Sequence, residues 1–147
     1  MRPFAAGLVV TLLGATVLSA RVPAMAQDVP DALSVEWQGE KLCEKLAEDA
    51  QIRILRCSFP PGTMHLCHSH PSYVSYVLNG GQARVQDQNG TWEGEVRAGT
   101  YVDVPPVRWH EIINTGGTTL QFLLIERKYQ TAPPASENVC PGRRPGQ

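Results

Sequence analysis

PPGTMHLCHSHPSYVSYVLNGG, residues 60–81, is the stretch from which the rest of this chain can be read. It opens on Pro60-Pro61-Gly62 and closes on Asn79-Gly80-Gly81, residues that reverse a chain tightly, and no helical stripe runs between them. Two strands fit the space, near 64–70 and 73–79, with Pro71 between them. In an extended strand alternate side chains share a face, so His68 and His70 point the same way with Cα atoms roughly 6.6 Å apart. Two imidazoles at that spacing can converge on one cation. The same alternation puts His65, Cys67 and Ser69 on the opposite face, which argues against a metal role for His65 and Cys67.

Outward from this stretch the strand pattern continues. Further strands are expected near 52–58, 82–87, 92–97, 101–104, 109–113 and 119–128, with Asn89-Gly90 and Gly116-Gly117 as additional reversals. About eight short strands at even spacing indicate a sandwich or barrel, with no helix beyond about two turns in residues 51–128.

A second segment, GTYVDVPPVRWHEIIN at 99–114, carries His110 after a glycine and a Pro-Pro turn. The two segments together resemble the paired motifs of the cupin superfamily. Gly62, His68, His70 and Gly80 match the first motif, and Gly99, Pro105, His110 and Asn114 match the second, with Val107 where a glycine is usual. The resemblance spans about residues 50–128 and implies an all-β cupin-type jelly-roll barrel. It also implies one divalent metal ion (Fe, Mn, Ni, Zn or Cu) held by His68, His70 and His110. The first motif's glutamate is missing: Tyr73, Val74 and Ser75 stand near its place, and which of Tyr73 and Val74 faces the interior stays open. Three neutral imidazoles leave an ion its full positive charge and open positions, which suits an anionic ligand or O₂ better than a closed structural site. Affinity should fall below about pH 6.5, where free imidazoles gain protons.

Other side chains promise less. Asp103 is expected in solvent and Glu111 should point away from His110, while Trp92, Tyr101 and Trp109 can wall the cavity or fill the core. No catalytic acid or base is assigned. The metal set suggests an oxygenase or isomerase acting on a small anionic or chelating substrate, and the lack of a clear base suggests instead a non-catalytic module for a small ligand or metal.

The flanks set the compartment. Residues 1–26 read as a secretory signal peptide: Arg2, an apolar run from Phe4 to Ala20, then Ala24-Met25-Ala26 before Gln27. Gly7 and Gly14 interrupt a run already short for a membrane anchor, so export, to the periplasm, is expected. Residues 27–50 form a lead-in with a strand or short helical turn from Lys41 to Ala47, 51–128 the barrel, and 129–147 a Pro- and Gly-rich tail. Without the leader, 11 Lys plus Arg face 14 Asp plus Glu, a formal charge of −3, and no basic stripe suggests nucleic acid. A small molecule is the expected partner, and a homodimer is allowed. Cys43, Cys57, Cys67 and Cys140 form no C-x-x-C pair and read as two disulfides, for which three connectivities exist.

Overall fold

A computed structural model describes residues 29–132 and Cys140. The leader and nearly all of the tail lie outside the described residues. Among the described residues, nine strands follow a single 3-10 turn at Ala32–Ser34. They are β1 (Cys43–Glu48), β2 (Ile52–Phe59), β3 (Met64–His70), β4 (Ser72–Asn79) and β5 (Gly81–Asp87), then β6 (Gly90–Val96), β7 (Tyr101–Val104), β8 (Val107–Asn114) and β9 (Leu120–Arg127). The segment from Lys41 to Ala47, expected as a strand or short helical turn, holds most of β1, which joins β2 antiparallel with Cys43 opposite Cys57.

The strands form two antiparallel sheets, β1-β2-β9-β4-β7 and β3-β8-β5-β6. Every consecutive pair except β1–β2 and β5–β6 changes sheet, so the chain winds back and forth between the layers as a jelly roll. Turn residues make these crossings short. At Gly62, φ is +77°, a conformation that costs a side chain strain. At Gly80 the constraint is contact, since a Cβ there would run into the carbonyl of Val96.

β9 shows how the layers are filled. Its residues alternate strictly, with Leu120, Phe122, Leu124 and Glu126 turned inward. The three apolar ones join Leu55, Phe59, Ala83 and Val107 in the core between the sheets. Full burial of such side chains is worth about 1.5–3 kcal/mol each. Glu126 lies in the same row and is 0% exposed, so it must be paired.

β3 does not alternate. His65 pairs with Ile112 and His68 with His110, three steps on β3 against two on β8, so β3 carries a bulge at Leu66-Cys67. The bulge turns His65 to the same side as His68, overturning the expectation that His65 faces away. Cys67 does face outward, where it is bonded to Cys140 and packs with Trp109. The other disulfide joins Cys43 to Cys57.

Candidate metal centre

The inner face of β3 and the neighbouring β8 supply the cluster. His68 lies directly opposite His110, and His70 follows His68 after one outward residue. Nε2 of His68 is 2.9 Å from Nε2 of His70 and 2.9 Å from Nε2 of His110, and the ligand atoms of all three lie within 4.8 Å of one another. Two nitrogens bound at 2.0–2.1 Å to one ion and at a right angle are separated by about 2.9 Å. Both pairs that include His68 therefore have the separation of two ligands of one divalent cation.

The outer ring nitrogens determine what the inner ones offer. His68 Nδ1 is 2.6 Å from the carbonyl of Leu66, which can only accept, so the hydrogen sits on Nδ1 and Nε2 keeps its lone pair. His70 Nδ1–H likewise donates to Glu126 Oε1 at 2.6 Å, leaving its Nε2 lone pair turned toward that of His68. Two lone pairs at that distance repel unless a cation, a proton or a metal ion, lies between them. Burial first, then the neighbouring imidazoles, holds His68 and His110 well below the ordinary histidine range. Both are thus kept in the neutral form that ligation needs.

His65 is inside but outside the ligand set. Its ring stacks 3.9 Å from that of His68, Nε2–H donates to the Ala32 carbonyl at 3.0 Å, and Nδ1 faces the Cys43 sulfur at 3.8 Å. Burial pushes its pKa down to about 4. Both nitrogens are turned to other partners, so His65 braces His68 by contact.

The question of Tyr73 is answered by β4. Tyr73 is buried and its ring lies 4.8 Å from that of His70, while Val74 is on the other face. Burial, then Glu126, pushes the phenol upward, so it stays protonated and can donate but not act as a base. Trp92 and Tyr101 are exposed and Trp109 belongs to the outer cluster, so none of the three walls the cavity. Asp103 is a solvent-exposed partner of Arg127. Glu126 was missed, although the strict alternation of β9 carried the signal.

The three histidines and Tyr73 open into a cavity of about 180 Å³ between the sheets. Val85, Val96, Val104, Ile112, Phe122 and Leu124 make much of its wall, and among the described residues no Lys, Arg, Asp or Glu lines it.

With the histidines in place inside a two-sheet roll, the match of residues 55–126 to the family model described as a cupin domain decides the assignment. Residues 55–126 form a cupin domain. This cupin is similar in fold to the crystal structure of a cupin domain from Bordetella pertussis Tohama I, at 20% identity and a TM-score of 0.55 over 70% of this chain and 99% of that one. It is similar also to a cupin-like protein from Thermotoga maritima, at 20% identity and a TM-score of 0.51 over 63% of this chain and 72% of that one. No curated protein matches the chain. The two disulfides fit an oxidising compartment, and among the described residues no helix is long and apolar enough to cross a membrane.

Proposed function

We propose that this is an exported, mononuclear metal-binding cupin in which His68, His70 and His110 hold one divalent ion. The observation that carries the reading is the pair of lone pairs on His68 and His70, held 2.9 Å apart by partners that fix both hydrogens on the outer nitrogens. Such an ion supplies Lewis acidity and free coordination positions beyond three protein ligands.

The chain's own residues limit what enters. A cavity of about 180 Å³ takes a small molecule, and away from the histidine end its wall is mostly apolar. With no cationic side chain lining the wall, a second anionic group would go unpaired. The preferred ligand therefore has one anionic or chelating head and an apolar body. Tyr73 is placed to donate a hydrogen bond to that head. An oxygenase or isomerase acting on such a substrate is the favoured activity. The alternative, a binding module without turnover, is supported by the absence of a carboxylate from the cavity lining among the described residues.

Elemental analysis of protein purified from its native envelope tests the reading. About one equivalent of metal is expected in wild type and little in His70→Ala or His110→Ala. Unchanged occupancy in either variant refutes the three-histidine set. Because burial keeps His68 and His110 neutral below the ordinary range, occupancy should persist below pH 6.5, lower than free imidazoles would allow. Turnover then separates the two readings: oxygen uptake or isomerisation with small chelating compounds supports an enzyme, and tight binding without either supports the module.

A further inference from the structure

The metal cluster is tied to the N-terminal segment through a chain of charged side chains that the three-histidine reading does not use. Glu126 is 0% exposed; its Oε1 accepts from His70 Nδ1–H and its Oε2 from Arg53 Nε–H. The rest of the Arg53 guanidinium forks onto Asp31, with Nη1 at 3.2 Å from Oδ1 and Nη2 at 2.7 Å from Oδ2. Asp31 lies on the segment that crosses β3, where the amide of Ser69, the residue between two of the histidines, donates to the Pro30 carbonyl at 2.9 Å. One residue further on, the Ala32 carbonyl receives His65, whose ring supports His68. This strap thus reaches the cluster by two routes.

We propose that Glu126, Arg53 and Asp31 belong to the metal centre: Glu126 is a positioning residue that keeps the His70 hydrogen on Nδ1 and its Nε2 lone pair toward the ion, and Arg53, held by Asp31, keeps Glu126 in place. This rests on the three-histidine reading. A buried carboxylate survives as an acceptor only with a cation beside it, and Arg53 is that cation. Arg53 in turn spreads its remaining donors over a planar fork that suits one carboxylate, that of Asp31. Carboxylates on the outer nitrogen of a ligating histidine fix its tautomer and raise its basicity, and their loss typically costs about 10–100-fold in metal affinity.

Glu126→Gln tests the chemistry with little change of shape. Its amide offers one acceptor and one donor where the carboxylate offers two acceptors. With the oxygen kept by Arg53, the NH₂ faces His70 Nδ1 and drives the hydrogen to Nε2, where it blocks the ion. The tautomer of His70 is read in metal-free protein at pH 7.5 by long-range ¹H–¹⁵N NMR, and Zn²⁺ affinity by chelator competition. Wild type should show Nδ1–H. Glu126→Gln should show Nε2–H and an affinity about 10–100-fold weaker. Asp31→Asn, at a half-exposed side chain, should weaken Zn²⁺ in the same direction by less, and Asp31→Glu should recover it. A purely structural ion pair would lower the melting temperature but leave tautomer and affinity alone. Either Glu126→Gln with wild-type tautomer and affinity or, if that variant does not fold, Asp31→Asn with wild-type affinity overturns the proposal. Wild type binding Zn²⁺ no tighter than His68→Ala removes the three-histidine reading instead, and the metal-free tautomer still tests Glu126.

Discussion

β3 and β9 are nearly the same length and face each other across one barrel, yet they are built on different terms. β9 keeps a strict two-residue period, and its inward face is a row of apolar side chains ending in one paired carboxylate. β3 breaks its period with a bulge, packs three imidazoles on its inner side, and is braced from outside by the strap at Ser69 and by the disulfide to Cys140. A regular ladder stabilises itself through burial. A strand that aims polar rings at one another does not, and external ties offset the cost.

The comparison predicts where each strand is vulnerable. The largest effect should come from untying β3: Cys67→Ser with Cys140→Ser opens a closure of 73 residues in sequence, worth about 4 kcal/mol, against about 3 kcal/mol for the 14-residue Cys43–Cys57 closure. Chemical denaturation of the two serine pairs checks the ranking; equal losses would mean that closure length does not set it, and no loss from opening Cys67–Cys140 would mean that β3 does not depend on its external tie.

Acid should weaken the buried histidine cluster of β3 and β8 next. His65, His68 and His110 are neutral when folded, with folded values below the unfolded value near 6.5, so the unfolded chain binds more protons in acid. Stability from this source is complete above pH 6.5 and declines as pH falls; His65 alone, held at about 4, accounts for about 3 kcal/mol by pH 4. The metal-free protein is the sample to use, and His65→Phe should flatten part of the slope. A denaturation midpoint constant from pH 7 to pH 4 would contradict this.

On β9 the corresponding loss comes from packing. Leu124→Ala should cost about 3 kcal/mol, with no pH dependence and no change in metal affinity. An affinity change in that variant would show that the apolar wall also shapes the metal cluster. Smallest of all is the outer side of the bulge: Leu66 is 40% exposed, and Leu66→Ala should alter stability by no more than about 0.5 kcal/mol. A loss of several kcal/mol there would mean that the bulge depends on that side chain.

What the amino-acid sequence determines by itself follows from local rules. Turn residues at 60–62, 79–81, 89–90 and 116–117 mark the reversals, and the pattern between them specifies β6 or β8 as surely as β9, because extended chains between tight turns have little choice. The shared face of His68 and His70 is equally local, whereas His110 joins them in the sequence only through the resemblance to the cupin motifs. Three matters depend on the partner strand. The bulge that turns His65 inward exists only in the register of β3 against β8, and nothing in MHLCHSH states how many residues of β8 will face it. Cys43 pairs with Cys57, and Cys67 with Cys140, because β1 joins β2 and Cys140 lies against the outer face of β3. Glu126 is legible as inward-facing from the alternation of β9, but its role is not, since Arg53 and His70 come to it from two other strands and Asp31 comes to Arg53 from the N-terminal segment. Where a ladder is regular, periodicity specifies the face a residue takes. Which charges meet across the barrel is decided by strand order and register, where groups far apart in sequence share the same few ångströms.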